Sequence, residues 1–332
     1  MTEALITGAT GFIGSHVALA LLEAGWRVRC LTRRGPPSDG PLVGREGVEW
    51  VAGDLQSPGD LRQAIRGCRG VFHVAAHYAL WSKDPAEFYR TNVEGTRAVL
   101  EAARDEGVRA VHTSSVSCVG EAPPGGVADE ETPVHEADLV GDYKRSKWQA
   151  EQVALEMAAG GADVVVVNPA SVIGPGDWKP TPTGQIVVDF LRGRMPCYVD
   201  TGLNFVDVRD VAAGHLLAFE KGEPGRRYIL GNREGNRSLK EFLGVVGGIA
   251  DRRPPRVRIP WHVAWMAGAV STFVADHLTG TPPGVPLNGV KMARQRMFFD
   301  PGRAVRELGL PQTPLDRTVR DAVEWFRARG MA

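Results

Sequence analysis

Neither sign of charge dominates this chain: 39 lysines and arginines balance 39 aspartates and glutamates over 332 residues. That balance argues against a broad grip on nucleic acid or an acidic membrane, which needs a basic excess or a concentrated basic stripe, and leaves small polar or mildly anionic ligands. Cysteine is scarce. Cys30, Cys68, Cys118 and Cys197 stand far apart with no C-x-x-C pairing, so neither a disulfide framework nor a metal site is expected, only free and mostly buried thiols. No stretch reaches the roughly 18 uninterrupted apolar residues of a spanning helix. The nearest, "WHVAWMAGAVSTFVADHLTG", carries His262, Asp276 and His277 and reads as a buried amphipathic helix, with contact to a membrane or an apolar substrate as the alternative. The opening "MTEALITGATGF" lacks the basic flank of a secretory signal, so a cytoplasmic location is expected. Internal repeats and low-complexity tails are also missing.

Short apolar runs rich in β-formers recur along the chain: "EALIT", "WRVRCLT", "VEWVAGD", "GVFHVAA", "AVHTSSV", "DVVVVNPASV" and later "RRYILG". Amphipathic segments such as "SHVALALLEAG" and "DLRQAIRG" separate them, with Gly25 and Gly67 where helix C-terminal caps belong. Strands alternating with helices imply an α/β fold, a doubly wound parallel sheet of the Rossmann type. After about residue 172 the pattern shifts to Pro- and Gly-containing loops between helices, which reads as a smaller, interleaved C-terminal lobe for substrate. "NFVDVRDVAAGHLLAFEKG" and "RRYILG" still read as parts of the main sheet. The expected division is therefore 1–172 plus about 205–231 for the dinucleotide, and about 173–204 with 232–332 for the substrate.

In "ITGATGFIGSHVALALLEAG" the first strand runs into Gly8, Gly11 and Gly14 and then into a helix. A glycine triple alone is weak evidence. Placed between strand and helix, it permits a tight turn and offers helix N–H groups to a pyrophosphate. The end of the second strand decides which dinucleotide, and it holds Thr32, Arg33 and Arg34 rather than an acid. A carboxylate would repel a 2′-phosphate, whereas a guanidinium grips it, so NADP(H) is favoured over NAD(H). Asp54 of "GDL" is placed to accept from an adenine amino group. "HVAAH", residues 73–77, ends the fourth strand with small residues at the cofactor edge.

Reduction of a carbonyl by hydride needs a proton donor beside the oxygen, and tyrosine serves if its pKa of about 10 is drawn down. In "GDYKRSK", Tyr143 and Lys147 lie one helical turn apart on one face, so an ammonium can favour the phenolate and also reach a nicotinamide ribose. Lys144 and Arg145 should turn aside. "HTSSVSCVG" adds strand-end hydroxyls, of which Ser115 is the choice for polarising the substrate oxygen and Ser117 the alternate. Tyr78, Trp81, Trp178 and the helix with Trp261 and Trp265 would give the entrance an aromatic, apolar character.

In this order "TGATGFIG", "GDL", "HVAA", "TSS" and "YKRSK" resemble the extended short-chain dehydrogenase/reductases over nearly the whole chain. The resemblance implies a Ser-Tyr-Lys catalytic group at Ser115, Tyr143 and Lys147, with Asn92 of "TNVEGT" as a supporting asparagine. It extends the cofactor contacts to Thr10, Phe12, Ile13, Leu55, Val74, Ala75, Ala76, Pro169 and Ser171. Homodimers through two sheet-flanking helices are common in that family. "HYALWSKDP", "YKRSKWQAE", "NPASVIGPGDWKPTPTG" and "MPCYVDTGLNFVDVRDVAAGHLLAFEKG" are similar to its dihydroflavonol-4-reductase-like branch, and within it to the bacterial hopanoid-associated sugar epimerase group.

Three chemistries follow. The first is NADPH-dependent reduction of a ketone or aldehyde, the substrate being a carbonyl, polyol or sugar-like molecule that is partly apolar if the aromatics touch it. The second is epimerisation of a nucleotide sugar or sugar-lipid with retained cofactor. Epimerases of this resemblance carry an arginine just before the strand written here "NFVDV", where this chain has Asn204; Arg209 and Lys179 are the cations left for an anionic substrate. Dehydration would need an acidic pair after Ser115, where Val116, Ser117 and Cys118 stand instead. The third is an NADPH-binding sensor without turnover, against which the intact Tyr143 and Lys147 argue.

Overall fold

Alternating β and α patterning carries through into the computed structural model, which describes residues 2–122 and 125–332. The first half runs β1 (Glu3–Thr7), α1 (Phe12–Glu23), β2 (Arg27–Thr32), β3 (Val48–Ala52), α2 (Pro58–Ile65) and β4 (Gly70–His73). Next come α3 (Ala86–Tyr89), α4 (Gly95–Asp105), β5 (Arg109–Thr113), α5 (Gly141–Ala159) and β6 (Val164–Pro169). Gly25 and Gly67 follow the ends of α1 and α2 at φ +79° and +81°, the left-handed conformation that stops a helix.

The second half holds β7 (Ser171–Ile173), α6 (Pro182–Leu191), β8 (Cys197–Val199), β9 (Gly202–Asp207), α7 (Val208–Lys221) and β10 (Arg227–Leu230). It closes with β11 (Asn236–Ser238), α8 (Leu239–Ala250), β12 (Val257–Ile259), α9 (Trp261–Val274), α10 (Leu287–Met292), β13 (Arg296–Met297) and α11 (Leu315–Ala328).

The main sheet has seven strands in the order β10-β6-β5-β4-β1-β2-β3, every pair parallel. Parallel strands are covered on both faces, which explains runs such as Val164–Val167, all buried. One face packs on α1 and α7, the other on α2, α4 and α5. Strand order reverses between β1 and β4, and the crevice beyond their C-terminal ends is where such sheets take ligands.

Two expectations need correcting. "NFVDV" does not enter the main sheet: β9 pairs with β7, β11 and β13 in a smaller sheet, and only β10 adds to the large one. Phe205 of β9 stacks on Phe242 of α8 at 4.0 Å between centroids, so its apolar face serves the C-terminal core. "DVVVVNPASV" is correspondingly two strands, β6 in the large sheet and β7 in the small one. The second correction concerns α9, which buries only Ala264 and Gly268 and turns most of its large apolar side chains to solvent.

Candidate active site

The glycine turn is dictated by contact. Gly8 sits at φ +76°, and a Cβ there would lie 2.7 Å from the backbone of Ala75 on the neighbouring strand end. A Cβ on Gly14 would lie 2.2 Å from the Gly8 carbonyl oxygen, so α1 and the turn can approach this closely only without side chains. Gly11 is the N-cap of α1 and supplies no side-chain acceptor, leaving the first-turn N–H groups to an anion. This cradle fits a dinucleotide pyrophosphate.

From the turn a cleft of about 1430 Å³ runs across the ends of the strands. Thr10, Gly11, Phe12, Ile13 and Gly14 line one end with Thr32, Arg33, Arg34, Asp54 and Leu55. Val74, Ala75, Ala76, Pro169 and Ser171 line its middle. Arg33 and Arg34 are exposed, while Thr32 Oγ1 donates to the Gly35 carbonyl at 2.9 Å and so shapes the loop that carries them. Asp54 accepts from the Gln56 N–H at 2.9 Å.

Ser115, Tyr143 and Lys147 come together in the same cleft, from the end of β5 and the first turns of α5. Ser115 Oγ accepts from the Ser117 N–H at 3.1 Å, which leaves its own proton free to donate. Lys147 is buried, and its Nζ donates to the Thr113 carbonyl at 2.7 Å. Burial pushes the Tyr143 phenol well above its usual value, reinforced by Tyr78 and Cys118 and opposed by a hydrogen bond from Ser115. In this state Ser115 is therefore the group that favours the phenolate, and Lys147 spends its bond on the backbone. Burial also lowers the Lys147 ammonium, with Cys118 and Glu151 opposing.

The neighbours of this pair differ from expectation. Arg145 is exposed, but Lys144 is buried beside Cys118 and Glu121, because the segment after β5 packs onto α5. Asn92 lies behind the cleft wall in a π-turn. Its Oδ1 accepts from the His77 N–H at 2.7 Å, and its Nδ2 donates to the His77 carbonyl at 3.1 Å and to Ser146 Oγ at 2.9 Å. It thus ties the loop after β4 to the residue preceding Lys147.

Of the substrate candidates, Tyr78, Ser117 and Lys179 line the cleft. Three others point elsewhere. Trp178 stacks edge-on against Trp325 of α11 with the Arg329 guanidinium 3.8 Å from its ring. Trp81 Nε1 donates to Asp276 at 2.6 Å. Arg209 is held by Asp207 and Asp321, each at 2.6 Å. Asn204 is buried, donating to the Asn232 carbonyl and Asn236 Oδ1, both at 2.8 Å, so it organises the small sheet rather than meeting ligand.

The wall at the substrate end is instead built from Leu80, Ile186, Met195, Leu203, Val285 and Met297, with Arg194 as an added cation. These residues come from helix α6, strands β9 and β13 and several separate loops, and share no periodicity. The one sequence signal was the Pro/Gly-rich composition of the connecting segments.

The model of the NAD dependent epimerase/dehydratase family matches residues 4–231. A Synechocystis protein provisionally named dihydroflavonol 4-reductase is 47% identical, over 98% of this chain and 94% of that one. Sterol demethylase protein B of Methylococcus capsulatus is 34% identical, over 98% of this chain and 99% of that one. The crystal structure of a nucleoside-diphosphate-sugar epimerase from Pseudomonas aeruginosa superposes with a TM-score of 0.80 at 25% identity, covering 99% of each chain. The chain belongs to the NAD dependent epimerase/dehydratase family, among the extended short-chain dehydrogenase/reductases.

Proposed function

We propose that this protein is an NADP(H)-dependent reductase of a ketone or aldehyde in a partly apolar small molecule. The observation that carries the reading is the convergence of Ser115, Tyr143 and Lys147 in one cleft with the glycine cradle and the paired arginines after β2. A bound nicotinamide supplies the hydride. Ser115 turns its hydroxyl proton from the Tyr143 oxygen to the carbonyl oxygen and holds it, and Tyr143 delivers the proton that completes the alcohol, to be reprotonated from solvent afterwards. A phenol kept neutral by burial is in the correct state for that delivery. Lys147 lines the same wall and would hold a ribose hydroxyl.

NADP(H) over NAD(H) rests on Arg33 and Arg34, exposed at the adenosine end with no side-chain partner among the described residues. Two of the compared relatives carry names that speak of reduction or sterols, which agrees with the apolar substrate wall. Epimerisation is the second reading, favoured by the likeness to the Pseudomonas epimerase. Arg209, bound to two carboxylates, and Asn204, buried in the small sheet, leave Lys179 and Arg194 to meet a diphosphate. Incubation with ketones and with sugar nucleotides separates the two: net NADPH consumption matched to product supports reduction, and isomerised product without consumption supports epimerisation.

A further inference from the structure

Helix α9 contains no Asp, Glu, Lys or Arg across Trp261–Val274, yet it lies on the outside. Gly268 lets it sit close on α10, where a Cβ would come within 3.2 Å of Val290, and the opposite face is left uncovered. On that face Met266 is 62% exposed, Val270 64% and Phe273 58%, followed by Leu278 at 75%. Val263 continues the stripe, since residues 263, 266, 270 and 273 recur at helical spacing. Scattered exposed apolar residues are ordinary, but a continuous stripe of this size marks a surface that meets something apolar.

Cations rim the stripe. The Arg294 guanidinium lies 5.3 Å from the Trp261 ring at the start of α9, and Lys83 Nζ stands beside Gly280 after its end. Lys291 is exposed on α10, with no side-chain partner among the described residues. The carboxylates nearby are Asp276, which accepts from Trp81, and Asp84, which pairs with Arg90.

The covered side of α9 rests on α10, which borders the cleft. Val285, itself exposed, and Pro286, Gly289 and Val290 line the substrate end, and α10 packs directly on α9.

We propose that the α9 face is an interfacial docking surface for an anionic lipid bilayer. Apolar side chains enter the boundary between headgroups and acyl chains while the rim cations meet anionic headgroups. Charge complementarity also distinguishes this occupant from a second copy, because a two-fold interface would set the same basic rim against itself. Docking of this kind is independent of the reaction in the cleft.

Flotation of the full-length protein with phosphatidylcholine vesicles, with and without phosphatidylglycerol, tests the proposal. Two double variants, Val270→Asp with Phe273→Asp and Lys83→Glu with Lys291→Glu, change exposed positions only, and a thermal melt verifies that they fold. The expected result is binding to phosphatidylglycerol vesicles that weakens with salt and falls on the order of tenfold or more in each variant, with NADPH affinity unchanged. Wild-type protein that stays with the unbound fraction overturns the proposal, as does binding that survives Val270→Asp with Phe273→Asp. A wild-type dimer that the same variant splits, without vesicle binding, assigns the face to a second copy and also overturns it.

Discussion

Tyr78 lies against Tyr143 with ring centroids 4.6 Å apart and planes inclined at 41°. Tyr78 itself is half exposed, so it forms the outer cover of a phenol whose proton is held by burial. Removing that cover admits water to the phenol and relieves the burial that raises its pKa. Tyr78→Ala is therefore expected to lower the Tyr143 pKa. Reduction needs the protonated phenol, so activity is lost as pH rises through that pKa, and the alkaline limb of kcat against pH moves to lower pH in the variant. An unchanged limb would show that Tyr78 does not govern the proton.

The glycine cradle makes a steric prediction. Gly14→Ala places a methyl group 2.2 Å from the Gly8 carbonyl oxygen, and neither backbone can retreat without moving β1 or α1. The variant is expected to lose roughly 2–4 kcal/mol of stability and most of its dinucleotide affinity. Thermal denaturation with and without NADPH reads both effects.

Arg33→Asp replaces an exposed guanidinium at the adenosine end with a charge that repels a 2′-phosphate. A charge-assisted hydrogen bond is worth about 1.5–3 kcal/mol, so the ratio of NADPH to NADH affinity should fall roughly tenfold to a hundredfold. Titration of both cofactors against the same preparation checks it. An unaltered ratio would pass the role to Arg34 or remove it from both.

What the sequence reveals about such a molecule divides by the range of the interaction. The glycine turn and the Tyr143–Lys147 face are local: a strand, a turn and one helical period place each group, and the structure gathers them into one cleft. The environment of those groups is not local. Lys144 is one residue from Tyr143, yet it is buried because a segment more than twenty residues earlier packs over it. Trp178 looks like a substrate contact by position, but α11, over 130 residues later, captures its ring. The apolar pattern of α9 was readable, whereas which side of it met protein depended on α10 and on nothing covering the other face.

The same limit applies to β9. Its alternation marks a strand, but the choice of sheet is set by Phe205 on Phe242 and by Asn204 bridging to Asn232 and Asn236, contacts that no local window contains.

The central claim is that Tyr143 delivers the proton in a cleft whose cofactor cradle is built separately from β1 and α1. Tyr143→Phe removes one hydroxyl and leaves the ring, the Tyr78 stack and the glycine turn in place. Carbonyl turnover and NADPH affinity should be measured on this variant beside the wild type. The account predicts that kcat falls by about 10²–10⁴-fold while NADPH affinity is unchanged. Turnover close to the wild-type rate would contradict it.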